Sequence, residues 1–411
     1  MRHRLAALAW CTLLILACAT RAHANIEEFK SFDVAIQEED DENLLDHFLT
    51  RMPGQWREDW DRSHGGFRAA EGCLTSGQWF MVNEIKTRAS LGDRAWLDIG
   101  YLDVQDAERK YGWLQLEFRY PTRIGAIGWR FRPAYDKSSQ DFALLYDWGE
   151  AASPLQIQAA LTVEDMFNSL WEFRQTRVGN RSEPYRKHPF EPALRVIQRG
   201  AHHRLELYGQ WLTPSVKAIH ELDPSLDRTR TLWGEHGGFE ASANHGPWTA
   251  ELRLDQVQAY STDTPLSGSS DSRSFRRRWL GELALRRTLG ERVTAEVGWV
   301  HQERDQYWHP PLGEGRFRAV DRMPMAEVAW RAHERVLARI GTLYDRIAVE
   351  QAGSIPIFTW GTRKESRVFL GLQVRFGKVL LQGTECIELD REQYEVSFHH
   401  DKGFLHMQTT F

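Results

Sequence analysis

The sequence predicts an all-β fold, a transmembrane antiparallel β-barrel of about 18 strands (range ~16–20) with a short N-terminal helical or irregular segment. Three observations support this prediction. Apolar and polar residues alternate with a period of two from about residue 76 onward, and aromatic residues recur at the ends of the apolar stripes. The polar face of the same segments is rich in charge. The segments have the length, about eight to eleven residues, that a tilted strand needs to cross a bilayer.

The alternation gives each segment one apolar and one polar face, because successive side chains of a strand point to opposite sides. It is clearest in residues 114–120, 142–148, 248–255, 293–299 and 368–376. A soluble sandwich would bury the apolar faces between two sheets, whereas a membrane barrel turns them toward lipid. Aromatic residues near the membrane interface are typical of the barrel. The residues with this placement are Tyr101, Tyr120, Trp148, Trp211, Trp279 and Trp299.

The chain divides into three parts. A basic start, an apolar stretch from Leu5 to Ala17 and a small-x-small site at Ala22–Ala24 indicate a secretory signal peptide over residues 1–24. Cys18 leaves lipoprotein processing open as an alternative. Residues 25–75 contain an acidic run followed by one apolar helical stripe, which we interpret as a periplasmic extension or a plug. Residues 76–411 are then the barrel.

Turn-forming residues separate the alternating segments. Tight turns at Leu289–Glu291 and Gly377–Lys378 predict short connections, and the polar stretches Ser261–Ser274 and Glu303–Arg318 predict long loops. Short and long connections alternate over most of the C-terminal half if a strand lies at Ile355–Trp360.

Composition excludes several functions. The 411 residues contain 52 Lys and Arg against 57 Asp and Glu, which is not the basic balance of a nucleic-acid-binding protein. Two of the four cysteines lie in the signal peptide, and an oxidising compartment permits a disulfide between the others, Cys73 and Cys386. Adjacent histidines such as His202 and His203 point to opposite faces of a strand, so they do not form a metal site. We expect no metal and no cofactor.

The last residues of the chain carry a resemblance. Gly403–Phe411 resembles the terminal strand of Gram-negative outer-membrane β-barrel proteins, in which an aromatic residue ends the chain and apolar residues precede it at alternate positions. Leu405, Met407 and Phe411 match this assembly signal, and Thr409 is a weaker match. The resemblance implies delivery by the barrel assembly machinery, contact with outer-membrane lipids, and an outer-membrane location after cleavage near Ala24. It implies a porin-like class without identifying a subfamily.

If the apolar faces contact lipid, the polar faces line an interior. Rows of arginine attract anionic solutes, and facing acids create a transverse field. The same charges can instead brace the wall as cross-strand ion pairs, and both interpretations stay open. The residues predicted to line the lumen are Glu117, Arg119, Arg130, Arg132, Arg204, Glu206, Glu251, Arg253, Arg276, Arg278, Glu282, Arg286, Arg367 and Arg375.

The sequence therefore predicts a channel or porin-like transporter for polar solutes, among them anionic solutes or an acidic polysaccharide. A barrel of about 18 strands is wide enough for an aqueous channel. No catalytic motif is present, so an enzyme is not predicted. Two alternatives stay open: an outer-membrane enzyme that hydrolyses lipid or peptide on a barrel scaffold, and a structural sleeve for a periplasmic or surface partner. The sequence does not indicate an oligomeric state.

Overall fold

The computed structural model describes residues 65–73, 79–92, 95–106, 110–133, 141–149, 153–164, 174–176, 179–181, 185–221, 223–267, 270–309, 314–353, 363–388 and 402–410. The predicted signal peptide, residues 25–64 and the predicted strand at 355–360 lie outside these ranges. Among the described residues, no helix is long and apolar enough to span a membrane.

Eighteen strands follow one another along the chain. They are β1 (Gly66–Cys73), β2 (Trp79–Leu91), β3 (Ala95–Asp106), β4 (Lys110–Thr122), β5 (Gly125–Arg132), β6 (Asp141–Trp148), β7 (Leu155–Val163), β8 (Phe190–Arg199), β9 (His203–Ile219), β10 (Arg228–His245), β11 (Trp248–Pro265), β12 (Ser272–Leu289), β13 (Val293–His309), β14 (Gly315–His333), β15 (Val336–Gly353), β16 (Arg363–Phe376), β17 (Val379–Glu388) and β18 (Lys402–Thr410).

Short elements occupy two of the connections. Between β7 and β8, the strands Arg174–Thr176 and Gly179–Arg181 pair with each other, and Tyr185–Lys187 pairs with β9. A single turn of 3-10 helix, Pro224–Leu226, lies between β9 and β10, and the Asp223 side chain caps it by accepting a hydrogen bond from the Ser225 N–H.

The sheet closes on itself. Every strand pairs antiparallel with its neighbour in the chain, and β18 pairs with β1 in a register that places Gly66 opposite Thr410. The closed ring leaves no unpaired sheet edge, as a membrane requires of a β-structure. The prediction of a closed antiparallel barrel with about 18 strands is confirmed.

The connections differ between the two ends of the barrel. At one end the chain turns within a few residues, for example at 123–124, 246–247 and 377–378, and Gly246 and Gly377 adopt the positive φ angles (57° and 60°) that such turns need. Longer connections, such as 389–401, lie at the other end. In outer-membrane barrels the short turns face the periplasm and the long loops face outward. The start of β1 and the end of β18 therefore lie at the periplasmic end.

The two faces of the wall have opposite characters. Polar and charged side chains at alternate positions are buried on the inward face, among them Glu117, Arg119 and Asp147. Large apolar side chains at the intervening positions are exposed on the outward face: Leu144, Leu161, Leu194, Leu207, Leu283, Val297, Val328, Ile340, Leu370 and Leu372. This is the polarity of a barrel in lipid and the reverse of a sandwich core. The fold is a transmembrane barrel of the outer-membrane type.

Two predicted loops are largely strand. β11 continues to Pro265 and β12 begins at Ser272, so most of the stretch Ser261–Ser274 is paired. Likewise, Glu303–Arg318 is mostly part of β13 and β14. Polar cross-strand contacts hold these extensions, for example the hydrogen bond at 2.6 Å between the hydroxyls of Ser261 and Ser274. The prediction was wrong because it required apolar residues at alternate positions, and strand above the membrane does not need them.

The barrel begins earlier than the predicted boundary at residue 76. Gly66–Cys73 is β1, and it pairs with both β2 and β18. The inward positions of this strand include Gly66 and Ala70, and its outward positions include Ala69 and Glu71. Such small and charged residues hide the apolar alternation, so the strand was assigned to the N-terminal segment.

The register does not support the possible disulfide between Cys73 and Cys386. Cys73 ends β1, Cys386 lies inward on β17, and the whole of β18 separates the two strands. Neighbouring strands are about 4.8 Å apart, so the two Cα atoms are about 10 Å apart, beyond the ~7 Å that a disulfide spans. Sequence spacing cannot show this, because it depends on which strands are neighbours.

Candidate functional site

The interior of the barrel contains the predicted residues. Strand alternation places every arginine and glutamate that the sequence assigned to the lumen on the inward face, in phase with the buried positions of β4, β5, β9, β11, β12 and β16. Whether they contact a solute remains a prediction. Their ion pairs, however, separate them into two groups with different surroundings.

A buried ionic cluster lies on the inward face of β4, β5 and β6. Arg119 is 2.7 Å from Glu117 Oε1 and 2.8 Å from Asp147 Oδ2. Arg130 donates a hydrogen bond of 3.0 Å from Nε to Glu117 Oε2. Beside them, Arg132 Nε donates to the Gln115 side-chain oxygen at 2.6 Å. All six side chains are buried, so this part of the wall is a packed ionic core.

A second group, buried except for Arg204, joins β8 and β9. Glu206 lies between two arginines: it pairs with Arg195 on β8 and lies 2.7 Å from Arg204 on its own strand. Further along the wall, Gln210 Nε2 donates to Glu191 Oε2 at 3.0 Å. The contacts Arg195–Glu206 and Gln210–Glu191 cross between strands and therefore brace the wall, which is one of the two interpretations that the sequence left open.

Asp255 on β11 gathers partners from three other strands. Its Oδ1 lies 3.0 Å from Arg278 on β12, and its Oδ2 lies 2.9 Å from His236 Nε2 on β10. The Tyr208 hydroxyl on β9 donates to the same Oδ2. A carboxylate with three partners is held in one position, so this network also has a structural role.

Arginines nearer the periplasmic end remain partly open to solvent. Arg286 lies 2.7 Å from Glu296 and 3.7 Å from Glu251, and its side chain is 35% exposed. Arg253 lies 3.5 Å from Glu240 and 3.9 Å from Glu282. The contacts with Glu251, Glu240 and Glu282 are long and the contact with Glu296 is close, and both guanidinium groups keep solvent contact beside these carboxylates.

Part of the inward face is apolar. Leu280, Val300, Met323, Leu343 and Phe369 occupy consecutive strands from β12 to β16 and form one buried cluster. The sequence predicts a polar, charge-rich inward face and gives no indication of this apolar patch. Single apolar residues among charged neighbours do not break the alternation of the outward face, so the periodicity gave no signal for this patch.

Several acidic partners of the inward arginines were not identified from the sequence. Asp147, Asp255, Glu296 and Glu327 each pair with an inward arginine, the last with Arg339 at 2.5 Å. Each lies in phase with the polar positions of its strand, so the alternation could have found them. Their partners could not have been found in this way, because pairing depends on the register between strands.

The described residues offer little chemistry beyond ion pairing. They contain no group of three or more His, Cys, Asp or Glu that could hold a metal ion. His202 lies in the turn before β9 and His203 is the first residue of β9; both are exposed, and His399 and His400 lie outside the described residues. In the assembly signal, Leu405 and Met407 are on the outward face of β18, and Phe411 is outside the described residues.

The solved structures that this chain is similar to are outer-membrane β-barrels. No family model and no curated relative matches the chain. Among solved structures, OccAB3 of Acinetobacter baumannii matches with 9% identity and a TM-score of 0.43 over 85% of this chain and 99% of that chain. A bacterial polysaccharide outer membrane secretin matches with 11% identity and a TM-score of 0.40 over 85% and 99%. A loop-deletion mutant of OmpT, an outer membrane protein of Vibrio cholerae, matches with 10% identity and a TM-score of 0.38 over 84% and 97%. Similarities at this level do not identify a function.

Proposed function

We propose that this protein is an outer-membrane channel that conducts polar solutes and favours anionic ones. The observation that carries the proposal is the set of inward arginines that keep solvent contact. The side chains of Arg204 and Arg286 are 36% and 35% exposed, although both lie inside a closed barrel. An ionic, solvated interior lowers the cost of moving a charged solute across the membrane, and accessible guanidinium groups attract anions.

The division of the inward charges supports the same proposal. The buried cluster around Arg119 braces the wall, so its charge is neutralised within the protein. The accessible arginines also have close carboxylate partners, at 2.7 Å for both Arg204–Glu206 and Arg286–Glu296, but their guanidinium groups keep solvent contact. They are therefore the residues available to set ion selectivity.

Strand β12 offers a matched test of this idea. Arg276 and Arg286 point inward, whereas their chain neighbours Arg277 and Arg287 point outward. We expect Arg276→Gln/Arg286→Gln to shift the reversal potential measured in a salt gradient toward the equilibrium potential of the cation, because the lining loses two charges that attract anions. Arg277→Gln/Arg287→Gln removes the same charge from the other face and should leave the reversal potential unchanged. The measurement is single-channel recording in planar bilayers.

Two outcomes would contradict the proposal. Equal shifts in the inward and outward variants would mean that total charge, not the lining, sets selectivity. A correctly folded wild-type barrel without conductance steps would favour the enzyme or the sleeve instead. Assays of lipid and peptide hydrolysis on the same preparation would then separate those two.

A further inference from the structure

A row of cationic side chains crosses the outward face of β14, β15 and β16. The register places Arg322 directly opposite Arg346, and Arg346 directly opposite Lys364. His301 on β13 lies opposite Arg322 on the same outward face, with its ring against Trp279. Arg322, Arg346 and Lys364 are all exposed, and all occupy the same face as the lipid-facing Val328, Ile340 and Leu370. The row therefore lies on the outside of the barrel.

This row is unfavourable unless an anion joins it. Side chains directly opposite on neighbouring strands have Cβ atoms about 5 Å apart, and like charges in such pairs are destabilising. The outward residues just above and below the row on β14 and β15 are Val320, Pro324, Tyr344 and Ala348, none of which is acidic. The described sheet thus places Arg322, Arg346 and Lys364 side by side on three neighbouring strands, at the same height along the barrel axis.

The nearest outward carboxylate among the described residues is already engaged. Glu303 lies next to His301 on the outward face of β13. It is 3.0 Å from Arg318 and 3.7 Å from Arg277, both of which lie nearer the extracellular rim than the row. The acids of this region therefore neutralise a separate group of arginines.

The height of the row matches the outer headgroup region. On β14 the exposed Trp330 lies near the periplasmic turn, and Arg322 is about 27 Å further along the strand at ~3.4 Å per residue. A strand tilted by about 40° converts this to about 21 Å across the bilayer, close to the ~25 Å apolar band of such barrels. Tyr344, 36% exposed, lies just below Arg346, where an interfacial aromatic residue is expected.

We propose that Arg322, Arg346 and Lys364 form a binding site for the phosphate groups of an acylated, phosphate-bearing lipid of the outer leaflet. Arginine binds phosphate through bidentate charge-assisted hydrogen bonds, and lysine adds a point charge. The acyl chains of the same lipid pack against the apolar band below the row. This proposal depends on the orientation of the barrel in the membrane and not on channel activity, so it can fail while the proposed conductance holds.

The test measures lipid binding to the intact barrel in detergent by native mass spectrometry. The probe is diphosphorylated lipid A, compared with its dephosphorylated form. We expect the wild type to prefer the phosphorylated lipid, and Arg322→Gln/Arg346→Gln/Lys364→Gln to weaken its binding by about tenfold or more, as charge-assisted contacts to phosphate imply. The control Arg287→Gln/Arg292→Gln/Lys378→Gln removes three exposed cations near the periplasmic turns and should bind like the wild type.

Further measurements make the result decisive. If the triple variant does not fold, the single variants Arg346→Gln and Lys364→Gln should each weaken binding, and unchanged binding in both would overturn the proposal. Equal losses in the triple variant and its control would also overturn it, because they would indicate attraction by total charge. If millimolar inorganic phosphate competes for the row as strongly as the lipid does, the row binds a free anion and the proposed lipid site is rejected.

Discussion

Replacing Arg119 with methionine is expected to lower the free energy of unfolding by about 3–5 kcal/mol, the usual cost of removing one partner from a buried ion pair. The guanidinium lies 2.7 Å from Glu117 and 2.8 Å from Asp147, and all three side chains are buried. Methionine keeps much of the volume but not the charge. Glu117 would retain Arg130 at 3.0 Å, whereas Asp147 would lose its pair with Arg119.

The matched control is Arg286→Met, at an inward position that keeps solvent contact. Its side chain is 35% exposed, so the loss should be only about 0–1 kcal/mol. Urea titration of the barrel in lipid vesicles, followed by tryptophan fluorescence, measures both values, and the chain has 17 tryptophans to report the transition. A loss below about 1 kcal/mol for Arg119→Met, equal to that of the control, would show that the cluster is solvated and refute the reasoning.

A second variant separates lost charge pairing from lost packing. Arg119→Met/Asp147→Leu removes both members of the pair, and replacing a buried ion pair with apolar residues is often neutral. The double variant should therefore be more stable than Arg119→Met alone. If it is less stable, packing around the guanidinium and not the unpaired carboxylate accounts for the loss.

Two further predictions concern a glycine and an extracellular connection. Alanine at Gly128 is expected to prevent closure of the barrel, because its Cβ would lie 2.0 Å from a backbone oxygen of β4. The control is alanine at Gly383, whose Cβ meets nothing within 4 Å. Gel migration of unheated samples compares the two variants, and equal migration would contradict the prediction. Hydrogen bonds from the His220 side chain and the Glu221 N–H hold the pKa of Asp227 below its usual range. Their stabilisation is present above the unfolded pKa of about 3.9 and is lost as the pH falls through the lower folded value. Relative to its intrinsic rate, the Glu221 amide should therefore exchange faster in acid, and a rate that follows only intrinsic exchange would refute the prediction.

The orientation of the wall could be predicted from the sequence because alternation is a local property. Glu117 and Arg119 flank Phe118, so any strand through them places the charges on one side and the ring on the other. The same argument placed the outward Leu405 and Met407 in the terminal strand. A barrel in lipid then leaves only one choice for the polar face.

The ion pairs could not be predicted, because they depend on register. Arg286 lies opposite Glu296 only because the turn at 290–292 sets the pairing of β12 with β13. A shift of one residue would turn one of the two side chains to the other face. Burial was beyond the sequence for a related reason: Arg119 and Arg286 have the same alternation, yet one is buried and the other is half-exposed.

The strands of this barrel differ greatly in length, with 8 residues in β5 and β6 and 18 or 19 residues in β10, β11, β12, β14 and β15. The paired wall consequently rises about 30 Å further along the strands on one flank than on the other. That flank presents a fixed, hydrogen-bonded surface to the cell exterior. An antibody or phage protein that recognises a rigid shape would bind there. A protein bound to that flank would approach the extracellular opening of the barrel from one side.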